Sequence, residues 1–186
     1  MSTYYTGKGD SGSTSIISGS KILKDQKIIE AIGDVDELNS VIGIALLYVH
    51  DKKLGKRLDR VQNTLFHIGA ALASVSSKSG SLRWGVKKED IESLEETINE
   101  LGRKLPDLRK FVIPAGSDGA VRLHFARAVA RRAERKVIAA LRECGMLENM
   151  DYENVLRYLN RLSSFLFVAA LYMNMKKGVK EKNPIY

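Results

Sequence analysis

The segment LHFARAVARRAER, residues 123–135, has the pattern of a long amphipathic helix. Its apolar residues recur every three or four positions, which places them along one face of an α-helix. These residues are Leu123, Ala126, Ala130 and Ala133, and Val137 continues the series. Because Ser117 suits an N-cap and Gly145 lies beyond the apolar pattern, we predict a helix over about 117–144.

A stripe of arginines runs beside this apolar face. Arg127, Arg131 and Arg135 are spaced four apart, and Arg132 lies roughly 100° further round the helix than Arg131. Arginines on one stripe repel one another unless carboxylates or phosphates lie between them. One interpretation is an ordinary solvated basic face. The other is a partly buried stripe that binds an anion, because a buried guanidinium needs an anionic partner.

Acidic residues further toward the N-terminus could supply that partner. They are Asp34, Asp36 and Glu37, although Asp36 can equally be an ordinary surface charge. The last predicted helix also carries a polar residue among its apolar ones, Asn160, which follows Leu159. It either satisfies a neighbouring polar group or holds a ligand.

Four other segments share the helical periodicity, over about 25–50, 53–75, 88–104 and 154–176. Five amphipathic helices joined by short links predict an all-α protein, a five-helix bundle. We interpret residues 1–186 as a single domain.

The segments outside the predicted helices are interpreted from their amino-acid composition. Residues 1–24 are rich in glycine and are predicted to form a loop, in which only Ser15–Ile17 resembles an extended piece. Residues 25–177 hold the bundle, with a polar connection over 74–85. The charged tail, 178–186, is expected to be loose, with its last three residues able to dock.

Composition limits the classes of protein and of site. Cys144 is the only cysteine among 186 residues, which excludes an intramolecular disulfide and a cysteine-based zinc site and favours a reducing, cytoplasmic setting. No apolar run reaches the roughly 18–20 residues of a membrane span, and we see no signal peptide. The net charge of +8 suits a nucleotide, nucleic acid or simple solubility, but no nucleic-acid-binding pattern is visible. We interpret the three histidines, His50, His67 and His124, as structural or surface residues.

The segment GKGDSG, residues 7–12, formally matches the G-x-G-x-x-G pattern. It is not a Rossmann signal, because no strand precedes it and no helix begins at its end. Closely spaced glycines can still turn backbone N–H groups toward an anion, and Thr6, Lys8 and Thr14 add hydroxyl groups and charge. A flexible N-terminus explains the composition equally well.

Three stretches together resemble the PduO-type cobalamin adenosyltransferases. The first is TGKGDSGST at 6–14, followed by Lys24-Asp25 and by AIGDVDELNS at 31–40. The second is FVIPAGS at 111–117, which leads into the arginine-bearing segment 123–135, and the third is YLNRLSSFLF at 158–167. The resemblance spans nearly the whole chain. It implies a ferritin-like, left-handed five-helix bundle that forms a homotrimer, with active sites between adjacent subunits.

The resemblance also implies a reaction and its residues. ATP and cob(I)alamin are the expected substrates, with Mg²⁺ held mainly by the ATP phosphates. Arg127, Arg131, Asp36 and Phe111 are the implied catalytic residues; Arg127 is expected to pair with Asp36, and Phe111 to face the corrin and displace the lower axial ligand of cobalt. The implied ATP-binding residues are Thr6, Gly7, Lys8, Gly9, Thr14, Ser15, Lys24, Arg131, Arg132, Glu134, Arg135 and Asn160. Ser11 departs from the family pattern, which has lysine after the aspartate that matches Asp10, and Lys8 is expected to replace that charge.

This chemistry agrees with the residues present. Cob(I)alamin is a strong nucleophile, so its attack on the ribose 5′ carbon needs positioning and stabilisation of the leaving triphosphate rather than a catalytic base. Expected protein partners are a cob(II)alamin reductase and a B12-dependent mutase. Two other functions remain open at this point: a protein that carries adenosylcobalamin to a mutase, and a helical nucleotide-binding module without transferase activity.

Overall fold

The computed structural model describes residues 4–17, 19–75 and 85–185, and five helices account for most of them. The prediction of five helices is confirmed. Their bounds are α1 Lys27–Leu46, α2 Lys52–Leu72, α3 Lys88–Gly102, α4 Asp118–Glu143 and α5 Met150–Lys176. Most of the predicted connection over 74–85 lies outside the described residues.

The described fold is not purely helical, because the N-terminal region contains a small antiparallel sheet. Strand β1, Ser13–Ser15, pairs with strand β2, Lys21–Leu23, so that Thr14 lies opposite Ile22. The predicted extended piece at 15–17 was therefore placed two residues too late, and its partner strand was missed. Ile16, which suggested that prediction, lies buried in the turn, where its N–H donates to the carbonyl of Ser20 at 3.1 Å.

The end of α1 and the start of α5 differ from the prediction, and a capping side chain marks the start of the helix that follows each link. Asp51 accepts hydrogen bonds from the N–H groups of Lys53 and Leu54, both at 3.0 Å, and so caps α2, which begins at Lys52. Helix α1 ends at Leu46 rather than near residue 50. Asn149 accepts from the N–H of Asp151 at 2.8 Å and starts α5 four residues earlier than predicted.

Helix α4 lies at the centre of the bundle, since it packs against both α1 and α5, while α3 packs on α5 and α2 on α1. Its contact face includes small side chains among the larger ones: Ala126, Ala130 and Ala133 are fully buried. Small residues allow the neighbouring helices to approach closely. The arginines of α4 are thereby held beside the acidic residues of α1 and the polar residues of α5.

The end of α5 is fixed to the link between α1 and α2. Asp51 accepts hydrogen bonds from the hydroxyl of Tyr172 at 3.1 Å and from Nζ of Lys176 at 2.9 Å. The backbone N–H of Leu54 and the Lys176 ammonium hold the pKa of Asp51 well below its usual range. The last turn of α5 is thus rigidly placed, and the segment that follows starts from a fixed point.

Within the described part of the chain, no helix has both the length and the apolar character needed to cross a bilayer.

Candidate functional site

The glycine-rich segment forms two successive tight turns. The N–H of Asp10 donates to the carbonyl of Gly7, and the N–H of Gly12 donates to that of Gly9, both at 3.2 Å. Gly7 and Gly12 have φ values of 68° and 77°, which only glycine adopts without strain. The N–H of Lys24 closes the segment on the carbonyl of Gly12 at 2.9 Å. The turns therefore have a defined geometry and are joined to the β-hairpin.

Two ammonium groups lie at these turns. A Cβ on Gly9 would lie 3.0 Å from Nζ of Lys24, so the absence of a side chain there lets Lys24 approach the turn. Lys8 is exposed, and its N–H donates to the hydroxyl of Thr6 at 3.4 Å. Neither lysine forms an ion pair with any described residue. Both charges are available to an anion.

The arginines of α4 divide into paired and unpaired groups. Nε of Arg132 donates to Asp34 at 2.6 Å, and the same guanidinium also binds Glu37, which together with Asp34 raises the pKa of Arg132. Arg131 and Arg135 are exposed and form no ion pair within the described ranges. Arg132 thus links α4 to α1, whereas Arg131 and Arg135 present free positive charge.

Arg127 is half-buried, and its Nε is fully buried without a hydrogen-bond partner. Asp36 is exposed, and the two residues form no ion pair inside the described chain. The expected Arg127–Asp36 contact is therefore not made within one chain; Asp34 and Glu37 bind Arg132 instead. A buried guanidinium N–H without an acceptor is costly, so Arg127 is a polar group that the contacts of the described residues do not satisfy.

Glu134 and Asn160, both predicted to bind ATP, are in contact across α4 and α5. Nδ2 of Asn160 donates to Glu134 at 3.1 Å, and Arg161 donates to Oδ1 of Asn160 at 3.1 Å. Arg161 in turn binds Glu95 of α3 at 2.8 Å. No local sequence pattern indicated Glu95, because its role depends on how α3 packs on α5. This chain of contacts fixes the orientation of the Asn160 side chain.

Phe111 lies in the connection between α3 and α4 and is 79% exposed. Beside it is a cavity of about 490 Å³ whose walls are mainly apolar. The walls come from the connection, from the end of α5 and from the tail, and include Leu105, Pro106, Leu108, Val112, Leu171 and Met175. Arg109, Lys110 and Lys180 add positive charge to the lining. We did not predict this cavity from the sequence. The apolar residues that lie between charged segments could have indicated an apolar surface there.

The tail is not loose, contrary to the prediction. The N–H of Ile113 donates to the carbonyl of Lys182, and the Asn183 amide donates to the carbonyl of Phe111, both at 2.8 Å. These bonds hold the tail along the Phe111 segment. Residue 186, part of the predicted docking group, lies outside the described residues.

His124 is a buried residue of α4, as its structural interpretation requires. It is 3% exposed, both of its ring nitrogens are buried without a partner, and its ring centroid lies 6.0 Å from that of Phe167. Burial lowers the pKa of His124, and the charge of Arg127 lowers it further. Both effects favour the neutral imidazole in the folded chain.

We expect stability to fall on acidification because of this residue. Below the ordinary pKa of 6.5 the unfolded chain binds a proton that folded His124 resists, so unfolding becomes more favourable as the pH falls. His124→Phe, which keeps an aromatic ring, should lose less stability between about pH 7.5 and pH 5 in urea melts. The exposed His67→Gln should retain the wild-type dependence; an equal change in both variants would contradict the assignment to His124.

No three His, Cys, Asp or Glu side chains among the described residues are grouped so as to hold a metal ion. Apart from the carboxylate of Asp10, the polar groups near the glycine turns are ammonium, hydroxyl and backbone N–H groups, which bind anions.

A profile of the family described as cobalamin adenosyltransferase matches residues 4–173 of the chain. The chain belongs to the cobalamin adenosyltransferase family. The corrinoid adenosyltransferase MMAB of Homo sapiens is 40% identical over 183 residues, which cover 96% of this chain and 71% of that protein. A corrinoid adenosyltransferase of Bacillus subtilis is 38% identical over 179 residues, 94% of this chain and 88% of that protein.

Solved structures support the same family. A phenylalanine-to-alanine variant of the PduO-type ATP:corrinoid adenosyltransferase from Lactobacillus reuteri, complexed with cobalamin and ATP, matches with a TM-score of 0.88 and 31% identity. The match covers 98% of this chain and 99% of that chain. The family predicted from the three sequence stretches is confirmed, and this cobalamin adenosyltransferase is an enzyme that transfers an adenosyl group.

Proposed function

We propose that the chain transfers the 5′-deoxyadenosyl group of ATP to the cobalt of cob(I)alamin, giving adenosylcobalamin and triphosphate. The observation that carries the proposal is the match over 98% of the chain to an ATP:corrinoid adenosyltransferase complexed with both substrates. In this reaction the cobalt electron pair forms a bond to the 5′ carbon while the bond from that carbon to the triphosphate oxygen breaks. No proton needs to be removed from the nucleophile.

The protein's task is to align the substrates and to stabilise the triphosphate as it leaves. Free cations suit this task, and Arg131, Arg135, Lys8 and Lys24 are exposed and unpaired in the described chain. Charge-assisted hydrogen bonds to phosphate are about twice as strong as neutral ones. The nucleotide contacts are completed by Thr6, Gly7, Gly9, Thr14, Ser15, Arg132, Glu134 and Asn160. Magnesium would be held by the phosphates, since the neighbouring side chains are mostly donors.

The corrin is proposed to lie against Phe111 and the adjacent cavity. A volume of about 490 Å³ with apolar walls is in the range of ligand sites, and it opens beside an aromatic ring that is 79% exposed. An apolar ring below cobalt cannot coordinate the metal and excludes water. Phe111 would thus favour reduction to Co(I) by removing the lower ligand. A reductase would supply the electron, and a B12-dependent mutase would use the product.

The active form is proposed to be a homotrimer with sites between subunits. Exposed apolar residues occur near the end of α1 and the start of α4, where Arg122 of α4 stacks on Tyr48 of the link after α1, 3.4 Å from the ring centroid. These exposed residues are Ile44, Leu47, Val121 and Phe125. Several exposed apolar residues in one region favour contact with another protein surface. The half-buried Arg127 and the exposed Asp36, neither of which forms an ion pair in the described chain, would then pair across the same interface.

Phe125→Glu tests the assembly. A carboxylate on this surface would have to be desolvated in an interface, so we expect the mass in light scattering to fall from three times 20.7 kDa toward 20.7 kDa, with loss of transfer activity. Met150→Glu is the control. Met150 is the first residue of α5 and is 84% exposed, so this change should leave the mass unchanged. A wild-type chain that is monomeric at assay concentration would refute the trimer.

The reaction itself is tested under anaerobic conditions. Purified protein, ATP, magnesium and chemically reduced cob(I)alamin are combined, and formation of adenosylcobalamin is followed by absorbance, with triphosphate measured as the second product. Equal amounts of both products are expected. ATP binding without product would instead favour an adenosylcobalamin carrier, and salt-sensitive binding to duplex DNA without any effect of B12 would favour a nucleic-acid module.

A further inference from the structure

Asn174, in the last turn of α5, is a fully buried amide whose donors and acceptor are all used. Its Oδ1 accepts from the N–H of Ser117 at 2.8 Å, at the start of α4. Its Nδ2 donates to the carbonyl of Ala115 at 3.1 Å and to the carboxylate of Glu181 at 3.1 and 3.3 Å. One side chain therefore joins the segment that carries Phe111, the start of α4 and the tail.

The backbone next to Asn174 leaves no space for a side chain at residue 116. Gly116 has a φ of 122°, and a Cβ at this position would lie 2.1 Å from Oδ1 of Asn174. Ser117, the N-cap residue of α4, makes no side-chain cap bond, and its hydroxyl is buried without a partner. The start of α4 is therefore held by the Asn174 amide rather than by its own capping side chain.

The tail completes this connection from the other side. The N–H of Val179 donates to the carbonyl of Asn174 at 3.0 Å, which turns the chain back after α5. The tail then runs beside the Phe111 segment and bonds to Phe111 and Ile113. Residues from both segments line the cavity next to Phe111. Asn174 and its contact with Glu181 thus help to hold two cavity walls, together with the bonds from the tail to Phe111 and Ile113.

We propose that Asn174 is a positioning residue for adenosyl transfer, which, with Glu181, fixes the Phe111 segment and the tail as the walls of the corrin site. This inference rests on the proposed function and on the placement of the corrin beside Phe111. Asn174 acts through the segments that it holds and does not touch substrate. Because the unpaired cations of α4 and the glycine turns make no contact with Asn174, its effect falls on cob(I)alamin rather than on ATP.

Glu181 variants test the connection with little risk to folding, because this residue lies in the tail. Glu181 also belongs to the cavity lining, so Glu181→Gln, which keeps the size of the side chain, is the matched control and the digestion below is the readout of the connection itself. Glu181→Ala removes both acceptors, whereas Glu181→Gln keeps one oxygen that can accept from Nδ2 of Asn174. Loss of one hydrogen bond to a charged group corresponds to roughly a tenfold change. We therefore expect Glu181→Ala to raise the KM for cob(I)alamin roughly tenfold, with the KM for ATP and the melting temperature nearly unchanged, and Glu181→Gln to restore most of the wild-type KM.

A second measurement follows the tail directly. Limited trypsin digestion, read by mass spectrometry, should cut after Lys180 and Lys182 faster in Glu181→Ala than in Glu181→Gln or wild type. Asn174→Leu, if it folds, should show both effects more strongly. With active wild-type enzyme, an unchanged cob(I)alamin KM in Glu181→Ala, or equal increases in both KM values, would overturn the inference. An inactive wild-type enzyme would instead overturn the proposed function, while the digestion still reports on the Asn174–Glu181 contact.

Discussion

Arg131→Ala is expected to lower kcat/KM for adenosyl transfer by roughly 10²–10³-fold, the loss seen when one donor to a developing anion is removed. The triphosphate gains negative charge as its bond to the 5′ carbon breaks, so a guanidinium that contacts it stabilises the transition state. Arg131 suits this role because it is exposed on α4 and no described side chain neutralises it. Steady-state kinetics with chemically reduced cob(I)alamin measure the effect.

Two matched variants separate this role from general charge. Arg142→Ala removes an exposed arginine 11 positions further along α4, roughly 16 Å away, and should stay within about twofold of wild type. Arg131→Lys keeps the charge but not the planar fork, so it should recover only part of the activity. If Arg131→Ala and Arg142→Ala lose activity equally, Arg131 has no specific role at the nucleotide.

Phe111→Ala is expected to slow turnover at least tenfold, about 1.4 kcal/mol in barrier, when a flavoprotein supplies the electrons. The reason is that Phe111 would keep a lower ligand off cobalt and so make Co(I) accessible. ATP binding, measured by calorimetry, should be unchanged because the glycine turns and the α4 arginines are intact. With excess chemically prepared cob(I)alamin, the defect in turnover should be much smaller, since reduction has already taken place.

The control for this variant is another exposed apolar residue. Met150→Ala truncates a side chain that is 84% exposed at the start of α5, whereas the Phe111 segment is bonded to the tail beyond its end. A helix of 27 residues spans about 40 Å, so the two sites are far apart. Full flavoprotein-driven turnover by Phe111→Ala would exclude the proposed role of Phe111.

The helices were predictable because their apolar residues repeat with the period of the helix, and α4 shows this most clearly. The β-hairpin was not, since its strands consist of Ser13–Ser15 and Lys21–Leu23, which have no long alternation of apolar and polar residues. The starts of α2 and α5 were set by Asp51 and Asn149, whose capping role depends on backbone geometry.

The candidate site was predictable in its residue types but not in its pairings. A stripe of arginines on α4 and carboxylates on α1 indicated ion pairs between these helices, and such pairs are present. Periodicity alone could not show which carboxylate of α1 pairs with an arginine of α4. A rotation of α1 by one residue changes which of Asp34, Asp36 and Glu37 faces Arg132. The tail and the cavity depend on long-range contacts of Asn174 and Lys182 that no local pattern reveals.

The close approach of Gly116 to Asn174 also indicates which positions of the enzyme are suitable for engineering. No side chain fits at residue 116 while Asn174 keeps its place, because a Cβ there would lie 2.1 Å from the amide oxygen. Leu108 and Met175 line the same cavity but are 48% and 39% exposed, so they tolerate replacement by larger or smaller side chains. Libraries that seek altered corrinoid selectivity can diversify these two positions and should leave 116 and 174 constant, since the scaffold of the pocket is attached to the core there.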